Sequence, residues 1–290
     1  MVRYLNKNLI SAVSVLLPIL AMLVSCGPER MIGYDYINNS PKGSILLIRP
    51  EFIYKNKFMP FDSAVQMSES EKDSVAYYRS SYLQYVSDSA FLDEYMNNII
   101  DRLISVGFDV YAQEYVDSFL IVRPPFYLVK VAQLQMEELR DTRAYESLNG
   151  IDTDRNIFPS GLVLNALRLN SWIEVTGLDA DSGKVKKLFF ASNIASNGVK
   201  IECKIIQKVP ESERQCIITI DTLTLNNLYE LARQSGKTYG SYLIDYLMNE
   251  YILLHMPDGI SPEFYLHYDA ELHRIKDSRG EGFQEIESGE

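Results

Sequence analysis

The most regular pattern in the chain lies between Phe91 and Ile104. Phe91, Leu92, Tyr95, Met96, Ile99, Ile100, Leu103 and Ile104 recur at intervals of three and four, while Asp93, Glu94, Asn97, Asn98, Asp101 and Arg102 fill the opposite side. That period predicts an amphipathic helix, and Gly107 stands where a left-handed C-terminal cap belongs. Ahead of it, Ser44 to Tyr54 reads as a first strand around the apolar run Ile45 to Ile48, with Pro50 suggesting an edge position or a bulge. Ser68 and Glu71 have capping-box spacing and open a predicted helix to about Ser87, with Val75, Tyr78, Tyr82 and Leu83 near helical spacing.

Beyond Gly107 the period shortens. Phe108–Tyr111 and Ser118–Val122 read as short strands, and Tyr127–Leu139 as a long one in which Leu134 and Met136 alternate with Gln133 and Gln135. Residues 140–160 are polar and turn-rich. Leu162–Val175, Lys184–Ala191, Val199–Ile206 and Cys216–Asp221 then form a strand series punctuated by turns at 177–183, 196–198 and 210–213, which predicts an antiparallel meander. Two helices, about Leu225–Gln234 and Tyr239–Leu254, are expected to follow, joined at Ser235 and Gly236. The predicted fold class is α+β, mainly an antiparallel sheet packed with amphipathic helices. The expected organisation is a leader over 1–25, a tether over 26–43 rich in Gly, Pro and Asn, a globular domain over 44–257, and a polar, partly disordered tail over 258–290.

The amino terminus changes this from a fold problem to one of location. Arg3 and Lys7 precede an apolar run from Leu9 to Val24 that is interrupted by Ser11, Ser14 and Pro18. A span needs roughly 20 apolar residues, so the segment reads as a signal peptide instead. Its boundary, Leu23-Val24-Ser25-Cys26, resembles the lipobox of bacterial lipoproteins. The resemblance implies cleavage before Cys26, acylation of that cysteine, and anchorage of the chain to a membrane outside the cytoplasm. Two or more acyl chains are enough for stable attachment. Gly27, rather than an acid, follows the cysteine, which by the enterobacterial sorting rule implies the periplasmic face of the outer membrane. The lipobox together with abundant Tyr and Asn also resembles envelope lipoproteins of Bacteroidota.

Charge narrows the partners. Loss of Arg3 and Lys7 with the leader takes the formal charge from -11 to -13. Such a protein is repelled by phosphate backbones, which excludes nucleic acid as a partner. The segment from Cys216 through Gly236 to Tyr251 resembles the ribbon-helix-helix family in its order of strand, helix and helix. Its strand, however, offers Thr219 and Asp221 where that family reads bases with polar and basic side chains, so it is expected to be a helical hairpin on a sheet. With Cys26 assigned to acylation, Cys203 and Cys216 remain as a pair flanking a hairpin turn. They read either as a disulfide or as two separate buried thiols.

Motifs for catalysis, metals and cofactors are not found. Gly236-Lys237-Thr238 lacks the upstream glycine of a phosphate loop, since Leu231 occupies that position. His267 and His273 lie off helical ligand spacing, and the three histidines (His255 is the other) read as isolated exposed residues. Glu137 and Glu138 alternate across a strand, Asp152 and Asp154 share a side if extended but fall in a polar loop, and Asp179 and Asp181 fall in a turn, so no pair stands above the background of 39 acids. Trp172 reads as a core residue. Of the 20 tyrosines, Tyr77, Tyr78, Tyr82 and Tyr85 are the candidates for partner contact. The expectation is a lipid-anchored, non-catalytic accessory or scaffold subunit of an envelope assembly, with a glycan- or peptide-binding lipoprotein as the alternative and a hydrolase third.

Overall fold

A computed structural model describes residues 27–57, 81–122, 125–143, 162–177, 185–207, 212–278 and 282–286. The fold is α+β. The chain divides into two compact units, one made of Gly43–Gly240 with Phe283–Glu290 and the other of Met1–Lys42 with Ser241–Gly282.

The larger unit is built on a mixed sheet. Strands β1 (Ser44–Ile48), β2 (Tyr54–Lys57), β3 (Asp109–Ala112), β4 (Phe126–Arg143), β5 (Leu162–Gly177), β6 (Val185–Ser196) and β11 (Gln284–Ile286) are ordered β11-β6-β5-β4-β1-β3, with β2 also on β4. β1 runs parallel to both β3 and β4, whereas β4, β5, β6 and β11 pair antiparallel. The predicted first strand is therefore two, broken at 49–53 around Pro50, and both pieces lie along β4.

An irregularity between Val131 and Gln133 inserts Ala132 into β4. It shifts the phase of the pleat. Val129 and Val131 are buried before it, and Leu134, Met136 and Glu138 after it. Without the extra residue one of these sets would face the wrong way.

Helix α2 (Asp88–Ser105) covers that buried face, following α1 (Pro28–Asn38) in chain order. Phe91, Leu92, Tyr95, Met96, Ile99 and Leu103 are its buried side chains, and Ile104, expected on the same stripe, is 52% exposed. The Tyr95 hydroxyl donates to Ser171 Oγ of β5 at 3.1 Å, which fixes the stripe against the sheet. The helix ends in a Schellman motif. Gly107 N–H donates to Ile104 O, Phe108 N–H donates to Leu103 O, and Gly107 has φ +102°.

Four expectations are corrected here. Residues 118–122 are not a strand, because Val116–Phe119 is one helical turn, α3, in which buried Phe119 sits between the Tyr111 and Phe126 rings. The helix predicted to reach Ser87 gives instead a single 3-10 turn at Leu83–Tyr85, and residues 58–80 lie outside the described ones. The meander stops at β6: Asn197 N–H bonds Asn165 O, its side chain accepts Leu223 N–H, and the chain leaves the sheet. β7 (Gly198–Gln207) and β8 (Ser212–Asp221) then form a separate two-stranded ladder.

The fourth correction concerns the two closing helices, which are one helix, α4 (Leu225–His255). Ser235 and Gly236 are contact residues within it. A Cβ at Gly236 would fall on the Tyr95 carbonyl oxygen and 2.9 Å from Asn98 Cβ, and one at Gly240 would lie 2.8 Å from Arg102 Cβ. Ser235, fully buried, accepts from Asn193 Nδ2 of β6 at 3.1 Å. The small residues allow α4 to lie close to α2. They do not break it.

The smaller unit contains α1, the 241–255 part of α4, and the hairpin β9 (Leu266–Asp269) with β10 (Arg274–Asp277). Both the tether and the polar tail expected from composition are thus largely structured. Pro28 takes the first turn of α1, where its missing N–H removes no helical bond. A Cβ on Gly33 would touch Ile275, Ile252 and Met248 at 3.0 to 3.6 Å, so the glycine that suggested a linker is a packing contact. Arg30 reaches Asp277 at 2.7 Å, and the Tyr36 and Tyr251 rings lie 5.0 Å apart.

Candidate functional site

Three places in the fold gather the polar or apolar groups that could carry a function. The first is the polar face of α4 in the smaller unit. Asp245 and Asn249 are one helical turn apart and meet β9 on the edge not used by β10. Asn249 donates to Leu266 O at 2.8 Å and accepts Leu266 N–H at 2.9 Å, as a neighbouring strand would. Asp245, 1% exposed, accepts Tyr268 N–H at 2.8 Å through Oδ1 and faces His267 Nδ1 at 2.6 Å through Oδ2.

His267 is therefore not the isolated exposed residue expected from sequence. It belongs to an acid–imidazole pair of the sort that orients a catalytic base. Both oxygens of the acid are, however, engaged in holding a strand edge to a helix. The hydroxyl of Tyr265 close by has its pKa pushed up, by burial first and then by the charges of Asp245 and Glu250. His273 is exposed with φ +47° and meets the Tyr268 hydroxyl at 3.1 Å, and exposed His255 stacks on Tyr251. The arrangement reads as architecture.

The second place is an open groove of about 410 Å³ at the carboxyl ends of β1 and β3, under α2. Parallel strands present ligands at this end. Leu47, Met96, Ile100 and Ala112 line it with Asn97, Gln113 and Glu114, and Arg49 bonds Asp93 at 2.9 Å at its side. The lining offers the amides of Asn97 and Gln113, the Arg49–Asp93 pair and the Glu114 carboxylate, but no histidine, serine or cysteine. It can hold a ligand by hydrogen bonds and apolar contact.

The third place is the connection after β3. Tyr115 is 58%, Val116 39%, Leu120 71% and Ile121 85% exposed, while Phe119 between them is buried. Isolated exposed apolar residues are ordinary on a protein surface. Four within one short segment, around the buried Phe119 and next to an outermost strand of the sheet among the described residues, form a patch. Sequence reasoning missed it because residues 118–122 were read as a short strand.

The residues singled out from sequence are distributed as follows. Cys26, Tyr77, Tyr78, Asp152, Asp154, Asp179 and Asp181 lie outside the described residues. Tyr85 is 65% exposed and Tyr82 half-buried. Glu138 is buried and accepts N–H groups of Ser81 and Tyr82 at 3.0 to 3.2 Å, while Glu137 meets Gln135 and Arg168, so the two acids do diverge. Trp172 is half-buried against Phe190, ring to ring at 5.1 Å. Cys203 and Cys216 are opposite one another in the β7–β8 register. Among the described residues no cluster of three His, Cys, Asp or Glu is placed to hold a metal ion, and no helix is long and apolar enough to cross a membrane. No protein-family model matches the chain, and no curated protein matches its sequence.

Proposed function

We propose that this chain is a lipid-anchored, non-catalytic accessory or scaffold subunit of a cell-envelope assembly, held through Cys26 at the periplasmic face of an outer membrane. The observation that carries the scaffold reading is the group of exposed apolar side chains Tyr115, Val116, Leu120 and Ile121 next to β3, an outermost strand of the sheet among the described residues. Apolar side chains of this size gain roughly 1.5–3 kcal/mol each on full burial, and a partner surface is what can supply it. Interfaces of this kind bury on the order of 800 Å² per partner, with their most apolar part at the centre. The anchor reading rests on the lipobox. Only Gly27 separates Cys26 from α1, so acyl chains there hold the smaller unit directly at the headgroups.

The test is co-purification of the tagged chain from detergent-solubilised envelope, with the double variant L120D/I121D beside the natural sequence. The expected result is a stoichiometric protein partner that the double variant loses without a change in its melting temperature. Equal recovery with both chains refutes the assignment of the patch, and recovery of no partner refutes the scaffold role. In the same cells Cys26→Ala is expected to abolish fatty-acid labelling, and labelling that persists refutes the anchor. The groove between β1, β3 and α2 favours the alternative reading, a peptide- or glycan-binding lipoprotein. Saturable binding weakened by Asn97→Ala would support that reading instead.

A further inference from the structure

The hairpin of β7 and β8 is the least supported part of the sheet structure. Its strands are 10 residues each, and among the described residues they pair only with one another. A two-stranded ribbon on its own is marginally stable in water. Register puts Val199 opposite Ile220, Ile201 opposite Ile218 and Cys203 opposite Cys216, and alternation places all six on one face. The two cysteines are thus directly cross-strand at the middle of the ribbon's apolar row. Residues directly opposite in an antiparallel pair have Cα atoms about 4.5–5.5 Å apart, inside the roughly 4.4–6.8 Å that a disulfide spans.

We infer that Cys203 and Cys216 form an intramolecular disulfide that staples this hairpin. Closure breaks two S–H bonds and forms one S–S bond. The two electrons and two protons pass to a disulfide oxidant, which is released as a dithiol if it is a protein disulfide or as two thiols if it is a small-molecule disulfide. The supply of that oxidant rests on the exported location proposed above, since such bonds persist in envelope compartments and not in a reducing cytoplasm. The register itself does not depend on that location.

The experiment is peptide mapping of the full chain isolated from envelope, denatured and alkylated with iodoacetamide without reductant. The expected result is loss of alkylation at both Cys203 and Cys216 and recovery of one linked peptide containing both. Both sites then become alkylated after reduction, and in Cys216→Ser the remaining Cys203 is alkylated without reduction. Full alkylation of both sites before reduction, or a link from either cysteine to Cys26 or to a second chain, overturns the inference. A second arm exposes reduced purified protein to oxidised glutathione. Closure of the 203–216 link there, with free thiols in the envelope sample, overturns the native disulfide and points to failure of the exported reading. Glutathione adducts on both cysteines in place of closure overturn the register.

Discussion

Replacement of Gly236 by alanine sets two effects of opposite sign against each other. In a helix interior alanine is favoured over glycine by about 1 kcal/mol, so propensity alone predicts a stabilised protein. The structure predicts the reverse. The added methyl falls on the carbonyl oxygen of Tyr95, with Asn98 Cβ at 2.9 Å and Tyr95 C at 3.2 Å, and none of these is the movable end of a side chain. Relief requires α4 to withdraw from α2 by something like an ångström, which forfeits a quarter to a half of each dispersion contact across the seam. Overpacking of this type costs about 1–3 kcal/mol, and a backbone obstacle puts Gly236 at the upper end. Against the gain in propensity, the net is a loss of about 2 kcal/mol, or roughly 4–8 °C in Tm for a unit of this size.

Two other glycines calibrate the result. Gly240→Ala meets the Arg102 Cβ and Cγ first and is expected to lose less, and Gly177→Ala meets nothing within 4 Å and should be near neutral. Urea unfolding followed by circular dichroism gives all three. Gly236→Ala as stable as the natural protein, or no worse than Gly177→Ala, refutes the close helix contact.

Two further predictions concern the smaller unit. Asp245→Ala removes the carboxylate that holds Tyr268 N–H and His267, and is expected to destabilise by about 2–4 kcal/mol and to speed amide exchange of Tyr268, with Asp245→Asn milder because it keeps an acceptor; unchanged exchange in the alanine variant refutes the latch. Lys42, buried with its ammonium on the Tyr36 and Ser40 carbonyls, has its pKa lowered from 10.5 by desolvation, against the opposing pull of Asp35. The unfolded chain therefore holds that proton to higher pH than the folded one, so Lys42 makes stability rise as pH climbs toward 10.5, and Lys42→Met should flatten that rise in denaturation midpoints.

The elements legible in sequence were those whose pattern is set by one buried face and one wet face. α2 was readable to its cap because its apolar stripe is buried while Asp93, Asn97 and Asp101 stay exposed, and the inward residues of β4 were readable because the pleat alternates. What misled was punctuation. Gly236, Gly33 and Pro28 look like breaks along the chain, yet two are places where another element comes close and the third is a helix start. β9 and β10 are 4 residues each, too short to show a period, and part of the edge of β9 is satisfied by α4 rather than by a strand. Nothing local to Leu266 or Tyr268 announces that partner. The visible signal lay instead in α4, where Asp245 and Asn249 interrupt an apolar face one turn apart.

The same reasoning bears on function. An acid that does chemistry keeps an oxygen directed at a cavity, where substrate can reach it. The buried carboxylates of Glu138 and Asp245 turn theirs toward backbone N–H groups of Ser81, Tyr82 and Tyr268, and so are accounted for by folding. Leu120 and Ile121 are the opposite case. Their neighbour Phe119 is buried and already fixes the turn, so folding asks nothing of them, and polar residues there would improve solubility. Side chains that the fold does not use, and that are unfavourable in water, are best explained by a surface that covers them. That contrast, buried carboxylates bonded to backbone and apolar side chains left outside, is what supports the proposed binding role.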